Sequence, residues 1–155
     1  MAHTFNSREI QYVKLNGQAV GELSVDCLIC QTYGILPIFA ASDDVALQEI
    51  KALYPQLQTV ITKYGKGKNC AEMRLKEDVL QEIYNGVKKA AATIQLVHGT
   101  PVSKKILLEI RYSRVEKAVE AAQKANGYGI PSKMGEDTHV RCFEITQPKQ
   151  ITLFV

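Results

Sequence analysis

Residues 104–127, KKILLEIRYSRVEKAVEAAQKANG, carry two hydrophobic periods back to back. Ile106, Leu108, Ile110 and Tyr112 alternate with Lys105, Leu107, Glu109 and Arg111, the period of a strand with one buried face. Ser113 stands three residues before Glu116, the spacing of a reciprocal capping box at a helix start. Val115, Ala118, Val119 and Ala122 form the apolar stripe of that helix, and Asn126-Gly127 supplies a left-handed stop. A strand running directly into a helix is therefore the unit around which the other elements are placed.

On the amino-terminal side, residues 10–15 and 18–30 flank Asn16-Gly17, the strongest short hairpin signal in the chain. Leu23, Val25, Cys27 and Ile29 alternate with their neighbours, which predicts a second strand reaching residue 30. On such a strand Cys27 and Cys30 point to opposite faces, so their Cys-x-x-Cys spacing predicts buried, inert thiols rather than a zinc or redox pair. Residues 31–41 are irregular, and Ser42, Asp43 and Asp44 open a helix that Pro55 ends. Strands at 59–63 and 71–75 enclose a tip rich in glycine and lysine, and a helix over 78–92 follows. Residues 93–97 predict a strand, 98–103 a turn, 128–137 a long loop, and 139–145 and 151–155 a closing hairpin.

The expected fold class is α+β. A mostly antiparallel sheet is built from three strand-strand-helix units plus a C-terminal hairpin, with helices packed on one face. Residues 1–8 read as a flexible tail and 9–155 as a single domain, long enough to bury a core without disulfides. No run of about 18 apolar residues is present, nor an apolar leader at the start, which makes a cytoplasmic protein with no membrane partner the expectation.

Nineteen basic against sixteen acidic residues leave a net charge of +3, which permits an anionic partner without requiring one. If each strand and helix crosses the domain once, the loops sort into two ends. One end collects Lys63, Tyr64, Lys66, Lys68, Lys88, Lys89, Arg111, Arg114 and Lys149. Glycines there let backbone amides approach phosphates, lysines neutralise them, and tyrosine stacks on bases. Tyr64-Gly65-Lys66-Gly67-Lys68 lacks the spacing of a Walker loop. The other end offers His98, Lys104, Tyr128, Lys133 and His139 as a possible second site.

The leading expectation is a small binding protein, without catalytic residues, that contacts nucleic acid or a phosphate-bearing ligand through the basic end. An alternative is a partner-binding or inhibitory homodimer, motivated by the apolar edge that a strand over 151–155 would expose. A third is an enzyme acting on phosphoesters through His98 and His139. There, His98-Gly99-Thr100 is similar to the His-x-Thr of two-histidine phosphoesterases, whereas His139-Val140-Arg141 lacks the second hydroxyl residue. No cofactor and no metal site is implied by the spacing of the histidines, cysteines and carboxylates.

Overall fold

A computed structural model describes residues 5–67, 70–94 and 103–155. The fold is α+β, and the chain divides into two compact units. One is formed by residues 4–32 and 102–155, the other by residues 33–101 together with 1–3.

The first unit contains β1 (Ile10–Leu15), β2 (Gln18–Ala19), α1 (Glu22–Thr32), β6 (Ile106–Tyr112), α4 (Val115–Gly127), β7 (Ser132–Met134) and β8 (Val140–Ile145). Its five strands form an antiparallel sheet in the order β2-β1-β6-β8-β7. Asn16 and Gly17 both take positive φ, 51° and 84°, so the β1–β2 hairpin is the expected tight turn. Strand β6 sits at the centre with Ile106, Leu108, Ile110 and Tyr112 buried, as its alternation requires. Helix α4 packs on β6, β7 and β8 through Ala118, Ala121 and Ala125, small residues that let helix and sheet approach closely.

Four local expectations fail in this unit, each for a visible reason. The strand over 18–30 stops at Ala19 and becomes helix α1, which buries Ser24, Val25, Cys27 and Leu28 on one face. Cys27 is buried and its thiol is pushed up to about 11 by desolvation, while Cys30 is exposed on the same helix. The predicted capping box is not made: Arg114 occupies the cap position, with no side-chain bond to the helix start. The terminal strand is instead a 3₁₀ turn, Pro148–Leu153, that buries Pro148 and Ile151 and leads to the buried Phe154. Phe154 stacks on Phe143 with ring centroids 4.1 Å apart. That apolar tail is therefore core, and the sticky edge offered as the motive for a homodimer is absent.

The second unit contains β3 (Phe39–Asp43), α2 (Asp44–Leu53), β4 (Gln58–Gly67), β5 (Cys70–Met73) and α3 (Lys76–Ala92). Strands β3 and β4 are parallel and β4 and β5 antiparallel, giving a mixed sheet β3-β4-β5. Parallel neighbours need a crossover, and α2 provides it. Asp43 caps that helix, its carboxylate accepting the Ala46 N–H at 2.9 Å. Leu47, Ile50, Tyr54, Leu57 and Val60 form the buried centre. The predicted strand over 93–97 begins with a residue that closes α3, Thr93, whose N–H returns to the Lys89 and Ala90 carbonyls; residues 95–97 lie outside those described. Among the described residues no helix is long and apolar enough to cross a membrane.

Candidate functional site

A cavity within the first unit measures about 410 Å³. Its walls come from the segment before β1, the first turn of α1, one face of α4 and the tail after the 3₁₀ turn. Tyr112 and Phe154 contribute apolar surface, and the Tyr112 hydroxyl donates to the Phe154 carbonyl at 3.0 Å. Burial pushes that phenol well above the usual tyrosine range, so it remains a proton donor and holds the tail in place.

Charge of both signs rings the cavity. Glu22 enters from α1, Glu9 from the turn before β1, and Glu120, Lys117 and Lys124 from α4. Glu9 pairs with Arg114 at 2.9 Å, and Lys117 pairs with Glu120 at 3.0 Å. Lys124 donates to the Leu153 carbonyl at 2.6 Å, tying α4 to the chain end. Glu22 is half-buried in the first turn of its helix, where the dipole favours a carboxylate. Its charge, after desolvation, raises the carboxyl of Asp26 one turn on.

The residues expected to form a basic end are divided between the two units. Lys63, Tyr64, Lys66, Lys88 and Lys89 belong to the second unit, and Arg111, Arg114 and Lys149 to the first. Several are already neutralised. Lys66 pairs with Glu72 at 2.9 Å, and Arg111 is held by Asp137 at 2.8 Å and Glu136 at 3.1 Å. Arg114 is drawn to Glu9, and Lys149 lies beyond the end of β8 away from Arg111. Lys68 lies outside the described residues.

The second expected cluster fares no better. Lys104 precedes β6, while His139 meets the opposite end of that strand through the Tyr112 N–H. The ring Nδ1 of His139 lies 3.1 Å from the Tyr112 carbonyl, and its backbone N–H donates to Asp137 at 2.8 Å. His139 is thus a turn residue. Tyr128 and Lys133 are exposed, on the end of α4 and on β7. His98 lies outside the described residues. The two-ends map failed because the 128–137 loop hides strand β7, and one extra crossing reverses every later assignment. Arg111 accordingly sits beside Asp137, which that map put at the opposite end.

Glu22 gives no signal as a site residue in the sequence, because the alternation of its segment predicts a strand. The competing signal was present: Ser24, Val25 and Leu28 follow a helical spacing directly after Gly21.

A family model described as peptidase M55, D-aminopeptidase, matches residues 1–131 of the chain. Among curated protein sequences none matches. Among solved structures, the zinc-dependent D-aminopeptidase DppA from Bacillus subtilis, described as a self-compartmentalizing protease, matches with a TM-score of 0.79. The identity is 18%, over 96% of this chain and 52% of that one, so the chain spans about half the length of that neighbour. At that identity the likeness is one of fold. The family match overturns the expectation of a nucleic-acid or phosphate-binding protein, and with it the inhibitory and phosphoesterase alternatives. The ion pairs that occupy Lys66, Arg111 and Arg114 are the physical counterpart of that correction.

Proposed function

The chain belongs to the M55 D-aminopeptidase family, and from that premise we propose that the protein serves to release D-amino acids from the amino ends of short peptides. The family match across residues 1–131 is the observation that carries this reading. The cavity supports it chemically. A short peptide presents an α-ammonium at one end and a carboxylate at the other, and this cavity offers Glu9 and Glu22 on two walls and Lys117 and Lys124, beside Glu120, on the α4 wall. An aminopeptidase must fix the ammonium to place the first amide, and Glu22 on the α1 wall is a suitable anchor for it. The apolar surface of Tyr112 and Phe154, held by the Tyr112–Phe154 bond, takes side-chain bulk.

The neighbour's zinc dependence sets a test for the residues present. A zinc centre needs several nitrogen, sulfur or oxygen donors brought to one point. Among the described residues no three His, Cys, Asp or Glu side chains are so grouped. Glu9 and Glu120 at the cavity are engaged by Arg114 and Lys117. The described residues therefore do not assemble a zinc centre by themselves.

Assembly from identical copies is part of the proposal, supported by the description of DppA as self-compartmentalizing. Cytoplasmic residence is likewise proposed. The test is hydrolysis of D-alanyl dipeptides by the purified protein, with zinc supplied, compared with Glu22→Gln. Loss of turnover in the variant is expected. Turnover equal to that of the parent protein would remove Glu22 from the site.

A further inference from the structure

The sheet face turned away from α4 carries a second cavity, of about 170 Å³, that shares no lining residue with the first. Alternation along β8 decides which side chains reach it. Arg141 donates to the Ala118 carbonyl of α4 at 3.1 Å and Phe143 is fully buried, so the intervening Cys142 and Glu144 face away from that helix. Register brings Lys133 of β7 directly opposite Cys142, and Leu107 of β6 directly opposite Glu144. Pro131 joins them, its carbonyl accepting the Glu144 N–H at 2.9 Å. Cys142 is the shortest side chain of its row, between Glu109 and Lys133, and leaves a hollow that Leu107 and Pro131 wall with apolar surface.

Two opposite charges line this hollow without meeting. Lys133 is a diagonal neighbour of Glu144, a spacing within reach of long side chains. Neither forms an ion pair among the described residues. Glu109, the other carboxylate of the row, is taken by Lys14 at 2.8 Å. Burial pushes the Cys142 thiol up, which keeps it neutral beside the two charges. The site thus offers one ammonium, one carboxylate and apolar surface in a small volume. A simple anion or cation answers one charge and leaves the other. A dicarboxylate or a diamine sets like charge against one of them. An α-amino acid carries both opposite charges on one carbon, and a small side chain beside them meets the apolar wall.

We propose that this cavity binds a free, small α-amino acid, with Glu144 receiving its ammonium and Lys133 its carboxylate. Both side chains are exposed, so each contact is weak in water and an affinity on the order of millimolar is expected. The proposed hydrolysis releases molecules of this class, but occupancy of this cavity does not depend on it.

Amide chemical shifts of the full ¹⁵N-labelled chain, titrated with D-alanine, test the proposal. Saturable shifts are expected at Leu107, Lys133, Cys142 and Glu144, with acetate and methylammonium each at least tenfold weaker there. Lys133→Met and Glu144→Gln should each weaken D-alanine binding at least tenfold. Exchanging the charges, Lys133→Glu with Glu144→Lys, should restore it, because a zwitterion can turn end for end. No saturable shift at these amides, acetate binding as well as D-alanine, single variants that bind like the parent, or a double variant no better than the singles would each overturn the assignment. Shifts confined to the residues around Tyr112 and Phe154 would also overturn it, while leaving the peptidase reading standing. Turnover of D-alanyl dipeptides by Lys133→Met is expected to match the parent protein, so failure of this site and failure of the peptidase reading show in different assays.

Discussion

Replacing Gly135 by alanine tests the packing that joins β7 to β8. A Cβ at this position would lie 2.8 Å from the Val140 Cβ and closer still to its Cγ1. Ordinary contact begins near 3.4 Å. The Val140 Cβ cannot retreat without moving backbone, and that backbone is held at 3.0 Å by the bond from the Gly135 N–H to the Val140 carbonyl. Val140 is also fully buried, and a β-branched side chain has little rotamer freedom with which to escape. Overpacking of this kind costs roughly 1–3 kcal/mol, and the immobile neighbour puts Gly135→Ala at about 2–3 kcal/mol. For a chain of this length each kcal/mol moves the melting midpoint by about 2–4 °C, so a drop of about 5–10 °C is expected. Urea unfolding should show a lower midpoint at an unchanged slope. Val140→Ala, itself destabilising by about 2 kcal/mol, should make room for the new methyl, so the double variant loses less than the sum of the singles by at least about 1 kcal/mol. A neutral Gly135→Ala, or strict additivity in the cycle, would refute this account of the hairpin.

Two further outcomes are expected. Asp43→Ala removes the cap on α2 and should lower stability by about 1 kcal/mol in urea unfolding, with Asp43→Asn retaining most of it; equal losses in both variants would place the effect elsewhere. The Lys14 ammonium holds the Glu109 carboxyl below the usual glutamate range by a hydrogen bond, against a smaller opposing effect of desolvation. A depressed folded-state value means stability that is present above about pH 4.3 and is lost as pH falls through the folded value. Glu109→Gln should therefore flatten the acid limb of a stability–pH curve, and an unaltered limb would remove this pair from the explanation.

The parts of the fold that could be read in advance are those with one unambiguous period. Residues 106–127 alternate and then switch to a helical stripe, and both elements stand where that switch puts them. Asn16-Gly17 specifies its turn by backbone conformation alone. Where two periods fit the same letters, the sequence alone does not choose between them. Residues 23–30 satisfy both alternation and the spacing of Ser24, Val25 and Leu28, and burial of the second set decides for helix. At the other end Pro148, Ile151 and Phe154 are buried three apart, the period of a 3₁₀ turn, yet 151–155 also reads as strand. Strand β7 had no signal at all, because Ser132, Lys133 and Met134 are all exposed and only pairing with Phe143, Cys142 and Arg141 makes them a strand.

The candidate site was less legible than the fold for a related reason. Lysines and arginines are visible in a sequence, but what neutralises them is not. Arg111 meets Asp137, and Arg114 meets Glu9, 105 residues away. Such distant pairing converts an apparent anion-binding patch into ordinary surface ion pairs, each worth about 1 kcal/mol or less. Glu22 became a candidate only once α1 was a helix and its first turn faced a cavity.

Stereoselective turnover bears most directly on the central claim. The initial rates of release of alanine from D-alanyl and L-alanyl dipeptides are to be compared on the purified protein, with zinc supplied. The D-peptide is expected to be cleaved at least about tenfold faster, a transition-state difference of ~1.4 kcal/mol or more. Equal rates, a preference for the L-peptide, or no release from either would contradict the assignment of this protein to D-amino-acid release.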